Sequence, residues 1–163
     1  MISIIFAISA NNCIGKNNTK NGLPWDIKED MAFFKKHTIA KTIIGGKNTY
    51  ALMGRALPNR RNIMISTTAV TSFTNIEVIS DLAEIIKQYK NSDEEIVVIG
   101  GKILFESIME HVSRIYLTNI NESFDGDTFY DNFTDHLNSF KVTETYPGLD
   151  PRLTFTIYDR NLK

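Results

Sequence analysis

The chain has a single cysteine, Cys13, so it can form no internal disulfide. No Cys/His spacing suits a metal ligand set, and none is expected. Neither an activating base nor a helix end lies near Cys13 in the sequence, so it reads as a plain loop thiol rather than a nucleophile. His37, His111 and His136 are scattered and read as solvated or hydrogen-bonded side chains. Charge of one sign is also missing: 18 Lys and Arg against 19 Asp and Glu leave a net charge of -1. There is no basic stripe for nucleic acid and no acidic block for a tail. The apolar run Ile4 to Ala7 lacks a basic flank and is too short for a signal or a membrane span. Internal repeats, low-complexity segments and domain-splitting linkers are absent, so one domain over residues 1–163 and a cytoplasmic address are expected.

What is present is an ordinary globular composition, 42% hydrophobic and 23% charged over 163 residues, enough to bury a core. The stretch Leu23 to Lys36 organises the rest. Asp26, three residues before Glu29, has the spacing of a capping box and predicts a helix from Ile27 to about His37. Ile27, Met31 and Phe34 form one apolar stripe, and Asp30 lies on its edge. Glu29, on the polar side, has the ordinary role of an acid at the positive end of the helix dipole. An unpaired buried carboxylate costs several kcal/mol, so Asp30 either has a buried partner or handles protons.

Ile2 to Ile8 reads as a central strand covered on both faces, followed by a long polar connection, Asn11 to Gly22, of the kind that forms lids. Lys41 to Gly45 predicts a strand, and Gly45-Gly46 before Lys47 a strand end at a helix start, where backbone N–H groups can receive phosphate. Further strands are predicted at Ile63 to Ser66 and Ile76 to Ile79, and a helix capped by Asp81 follows. Glu95 to Lys102 repeats the strand, glycine pair, helix junction. A strand at Ile115 to Ile120 and a hairpin of Phe140 to Thr145 with Leu153 to Tyr158, turned at Pro147-Gly148, complete the chain. The outline is α/β: one mostly parallel sheet with helices on both faces and an antiparallel C-terminal edge. Neither glycine pair fits the six-residue dinucleotide fingerprint, which disfavours a Rossmann-type dehydrogenase.

Seven landmarks stand in one order along the chain: Ile14-Gly15, Leu23-Pro24-Trp25, Asp30 with Phe33-Phe34-Lys35, Gly46-x-x-Thr49, Gly54-Arg-x-Leu-Pro-x-Arg60, Ile99-Gly100-Gly101 and Gly126-Asp-Thr128. Together they resemble bacterial dihydrofolate reductases over residues 1 to about 159. The resemblance implies an eight-stranded sheet and reduction of 7,8-dihydrofolate to tetrahydrofolate by NADPH, in a monofunctional monomer with no fused synthase, nucleic-acid or membrane partner. It implies that Asp30 hydrogen-bonds the pterin and assists protonation of N5 before hydride reaches C6, with water as the direct donor. Thr118 would share a hydrogen bond with the acid, and Trp25 would hold a water near it. Ile5, Met31, Phe34, Met53, Leu57 and Ile99 would line the substrate trough, and Arg60 would grip the glutamate α-carboxylate. Arg61 reads as a solvated surface charge.

For the cofactor, Ala7 and Ile14 resemble positions at the nicotinamide end, and Gly100-Gly101 a junction whose peptide is cis in the family. Lys47, Thr49, Ser66 and Thr67 fall where the family binds phosphates, with Gly46, Asn48 and Ile99 beside them. Lys102, Ile103, Leu104 and Phe105 open the helix after the second glycine pair, Phe105 beside the nicotinamide. The chain departs from the family at Lys47, where an arginine commonly faces the 2′-phosphate, and at Ile103, where some relatives carry a second arginine. Gly45 replaces a bulkier residue, which predicts looser packing. The Asn17 to Gly22 loop is longer than in the shortest bacterial forms. Two other readings stay open: the sister reductase of riboflavin synthesis, which would not need Asp30, Phe34 and Arg60 together, and a nucleotide-binding module without catalysis.

Overall fold

A computed structural model describes residues 1–68 and 73–162. In chain order the strands are β1 (Ile2–Ser9), β2 (Cys13–Gly15), β3 (Thr42–Gly46), β4 (Arg61–Ile65), β5 (Ile76–Ile79), β6 (Ile96–Gly100), β7 (Arg114–Ile120), β8 (Thr128–Phe129), β9 (Phe140–Pro147) and β10 (Leu153–Arg160). The helices are α1 (Lys28–Thr38), α2 (Lys47–Met53), α3 (Leu82–Tyr89), α4 (Lys102–Ile108) and α5 (Phe133–His136). Among the described residues eight strands form one sheet in the order β5-β4-β3-β6-β1-β7-β10-β9, while β2 pairs with β8 alone. All pairings from β5 to β7 are parallel, and β10 is antiparallel to both β7 and β9. The fold class read from the sequence is thus the observed one.

The alternation of a strand sends Ile2, Ile4 and Ile8 of β1 to one face and Ile5 and Ala7 to the other. The first face packs on Ile85 and Tyr89 of α3 and Leu104, Phe105 and Ile108 of α4. The second packs on Phe33 of α1, Trp25 and Phe155 of β10. β1 needs apolar residues on both faces because helices cover both.

Several local expectations are corrected. Ile27, not Asp26, caps α1, and it makes no side-chain capping bond. Glu29 does not reach back to the helix start; its carboxylate accepts from the backbone N–H of Leu149 (2.8 Å) and Asp150 (2.9 Å). Tertiary donors have displaced the local box. Phe33 takes the core position, while Met31 stays 37% exposed, because the Met31 and Phe34 face looks into a cavity rather than the sheet. By contrast Asp81 caps α3 as predicted, accepting from Ala83 N at 2.9 Å.

The Asn11 to Gly22 connection carries β2 and a 3₁₀ turn, Lys20–Gly22. Cys13 is therefore a buried strand residue rather than a loop thiol, and burial pushes its pKa up. Pro147 ends β9, so the hairpin turn lies at 148–152. Packing at Gly45 is tight, not loose: a Cβ there would meet the Tyr50 ring at 3.0 Å and Ile99 at 3.3 Å. Arg61 is an exposed surface charge as expected, and also a paired one: it holds Glu77 at 2.6 and 3.0 Å and donates to Tyr89 at 3.1 Å. His37 and His136 each bury Nε2 without a partner.

Candidate active site

A cavity of about 910 Å³ opens at the C-terminal ends of the parallel strands, within the range of small-molecule and cofactor sites. Its floor comes from β1 and β7, with Ile5, Ala7 and Thr118 facing in. On one side α1 presents Asp30, Met31 and Phe34, and Met53 and Leu57 close the trough from the end of α2 and the turn after it. On the other side the two glycine-paired junctions contribute Gly46, Lys47, Asn48 and Thr49 from β3 and α2, then Ile99, Gly100 and Gly101 from β6. Lys102, Ile103, Leu104 and Phe105 of α4 follow, and Ser66 and Thr67 lie beyond β4. Ile14 of β2 also lines the cavity.

Asp30 is the only acidic side chain on the lining among the described residues, and it is 7% exposed. Burial pushes its pKa up, while Thr118 and Trp25 pull in the opposite direction by favouring the charged form. Thr118 is 1% exposed and stands in register with Ala7 of β1 and Phe155 of β10, which fixes its height along the sheet. Trp25 lies behind the cavity wall, 6% exposed and edge-on to Phe124 at 5.2 Å. Its Nε1 is buried with no direct acceptor, so its influence on Asp30 is that of a nearby dipole rather than of a direct hydrogen bond.

Two sequence-predicted residues are not on the cavity lining: Trp25 and Arg60. Arg60 sits past Leu57, donating from Nε to Pro58 O (3.0 Å) and from a terminal nitrogen to Thr38 Oγ1 (3.1 Å), and no carboxylate pairs with it among the described residues. Burial, then the neighbouring Arg55, lowers its proton affinity. Sequence reasoning missed Phe6, Asn21, Leu52, Ser80 and Ser107, which also line the cavity. It also missed Thr68, which accepts from Lys47 Nζ at 3.4 Å and shares a hydrogen bond with Ser66 Oγ at 2.8 Å. A run of hydroxyls after a strand, Ser66-Thr-Thr68, was the available signal for Thr68.

The glycine cradle fits an elongated diphosphate-bearing cofactor. The Gly100–Gly101 peptide is cis, and Gly100 has φ 135°, a conformation reserved for glycine. A Cβ at Gly46 would point toward Gly100 O at 3.8 Å, and Thr49 Oγ1 lies 3.7 Å from where a Cβ at Gly101 would be. Backbone and the Thr49 hydroxyl thus border this stretch of the lining, to which Lys47 also contributes.

An α/β sheet with a glycine cradle at its strand ends and a buried acid from a covering helix on the same cavity has the form of a nucleotide-using enzyme site. The chain belongs to the dihydrofolate reductase family: the family model described as "Dihydrofolate reductase" matches residues 1–160. Dihydrofolate reductase of Bacillus subtilis (strain 168) is 38% identical over 148 residues, spanning 91% of this chain and 84% of that protein. The enzyme of Buchnera aphidicola subsp. Baizongia pistaciae is 39% identical over 138 residues, 83% and 80% of the two chains. Dihydrofolate reductase from Enterococcus faecalis, solved with NADP(H) and RAB-propyl, superposes with a TM-score of 0.88 at 29% identity, covering 99% of this chain and 97% of that one. Among the described residues no helix is long and apolar enough to cross a membrane, and no group of side chains forms a metal site.

Proposed function

We propose that the protein reduces 7,8-dihydrofolate to 5,6,7,8-tetrahydrofolate with NADPH. The observation that carries this reading is Asp30, a 7%-exposed carboxyl and, among the described residues, the only acidic side chain on the cavity lining. NADPH, when bound, supplies the hydride that C6 of the pterin receives. Asp30 binds the amino group and ring nitrogen of the pterin and raises the proton affinity at N5, where water delivers the proton. Thr118 keeps the carboxyl oriented, and the Trp25 dipole steadies its charged form. Ile5, Met31, Phe34, Met53, Leu57 and Ile99 hold the ring system and exclude bulk water.

Arg60 receives the substrate's α-carboxylate, a role supported by the absence of any carboxylate paired with it among the described residues. Gly46, Asn48, Thr49, Gly100, Gly101 and Lys102 cradle the diphosphate. Lys47, Ser66 and Thr67 hold the 2′-phosphate, and Ala7, Ile14, Ile103, Leu104 and Phe105 flank the remaining length of the cofactor. The enzyme acts as a single-domain cytoplasmic monomer without nucleic-acid or membrane partners, a reading supported by its near-neutral charge.

Consumption of reduced nicotinamide, followed by absorbance with and without dihydrofolate, tests the reaction. Turnover that depends on dihydrofolate supports it; NADPH binding with no turnover would move the assignment to the sister reductase or to a non-catalytic module. Lys47→Ala is expected to weaken NADPH binding about fivefold to tenfold, as loss of one partly screened ion contact does, while leaving NADH binding unchanged. Titration calorimetry with both nucleotides checks this.

A further inference from the structure

Glu29 precedes Asp30, yet none of its bonds is used by the chemistry above. Its two carboxylate oxygens accept from Leu149 N at 2.8 Å and Asp150 N at 2.9 Å, so α1 is fastened to the tip of the β9–β10 hairpin. The fit is close: a Cβ at Gly148 would lie 3.0 Å from both Glu29 oxygens and 2.9 Å from Leu153 Cβ. The turn is itself braced. Gly148 N donates to Leu153 O, Leu153 N donates to Asp150 O, and Arg152 holds Asp150 at 2.8 Å and Glu122 at 2.6 Å. Asn121 N donates to Arg152 O at 2.8 Å, tying the turn to the chain just past β7.

From the turn, β10 runs in register with β7, Leu153 opposite Ile120 and Phe155 opposite Thr118. The connections close a ring: Asp30, Glu29, the turn amides, β10, Thr118, and back across the site to Asp30. We propose that Glu29 is a positioning residue that acts through the β9–β10 turn to set the Asp30 carboxyl against Thr118. This rests on the role given to Asp30 above. Without the latch the first turn of α1 gains freedom and the Asp30 carboxyl draws away from Thr118. The groups that act on Asp30 are Thr118 and Trp25, neither of which titrates in the relevant range. Those facing Glu29 are Tyr146 of β9, whose phenol is pushed up by burial, Glu144 and Glu29, and Asp150, which Arg152 neutralises.

The test uses the full chain and two variants that break the latch from opposite sides. Glu29→Ala removes the acceptor; Gly148→Ala keeps every charge and pushes the carboxylate off its donors. Two readouts are taken: the Asp30 titration by carboxyl carbon NMR, assigned with Asp30→Asn, and the pH profile of single-turnover hydride transfer. In both variants the Asp30 pKa is expected to rise, as it does when the Thr118 hydroxyl no longer favours the charged form, and the transfer rate to drop about tenfold. A lowered Tm with the Asp30 titration and the rate profile unmoved would overturn the proposal, leaving Glu29 a purely structural tie. Movement in Glu29→Ala alone would overturn it too, since the effect would then be through-space charge. The NMR readout needs no turnover, so failure of this proposal is distinguishable from failure of the dihydrofolate assignment.

Discussion

Helix α1 draws two titratable side chains two turns apart away from solvent, Asp30 buried and His37 half-buried, and they have opposite fates. Asp30 lies on the cavity with a hydroxyl and an indole N–H beside it, and burial pushes its pKa up against their pull. His37 lies at the other end, stacked on Tyr116 at 4.4 Å and edge-on to Phe33 at 4.6 Å, with Nε2 buried and unpartnered. Burial, then Lys36 and Lys41, lower it to about 4, although Glu95 acts the other way and Arg114 adds a little. His37 is thus a neutral ring in a packed layer. Burial perturbs both groups; polar company and access to the cavity distinguish the one that can do chemistry from the one that cannot.

The comparison breaks first at Asp30. Asp30→Asn is expected to slow hydride transfer about 10²–10⁴-fold near neutral pH, the usual worth of a positioned acid–base group. Stability should move the other way. A carboxyl whose folded pKa is raised favours the fold less as pH climbs through and beyond its unfolded value, because the native state must then hold a buried charge. The variant is therefore expected to match or exceed the parent in Tm at pH 7 and to match it at pH 3, as differential scanning calorimetry can read.

Thr118→Val sharpens the contrast by making Asp30 more like His37. With its hydroxyl gone, the charged form of Asp30 loses a neighbour that favours it, and the rate should fall about tenfold. Its apparent pKa should rise in the pH profile; an unchanged profile would show that the hydroxyl is silent.

The smallest effect is expected at His37. A depressed histidine stabilises the fold above its unfolded pKa of 6.5, and that stability is lost as pH falls toward about 4, because the unfolded chain takes up a proton that the fold refuses. His37→Phe should flatten the decline in urea midpoint between those limits and leave turnover at pH 7 unchanged. A histidine variant with altered turnover and an unaltered acid limb would erase the distinction drawn between the two ends of α1.

The same contrast marks what the sequence could disclose. Period-two and helical spacing located the strands and helices of the sheet, since long apolar runs such as Ile2 to Ile8 have few alternatives to burial. Spacing also isolated Asp30, an acid on an apolar stripe. It failed wherever a distant backbone competed with a local one. Asp26 and Glu29 have the letters of a capping box, but the amides of Leu149 and Asp150 claim Glu29. His37 read as a solvated or hydrogen-bonded side chain because the three histidines are scattered in the sequence, while the ring of Tyr116 that stacks on it comes from a strand nearly eighty residues away. The two glycine pairs look alike in sequence, yet Gly45 is closed in by Tyr50 and Ile99, whereas Gly100 turns at φ 135° onto the cavity. Arg60 and Trp25 were singled out through resemblance, and neither lies on the cavity lining.

The most direct test of the central claim, that Asp30 governs protonation at the pterin, is the pH dependence of single-turnover hydride transfer in the parent and in Asp30→Asn. The account predicts a parent rate that levels off at acid pH, and a variant rate that keeps rising about tenfold for each unit of falling pH, because solvent must then supply the proton without help. Two profiles of the same shape and similar height would contradict it.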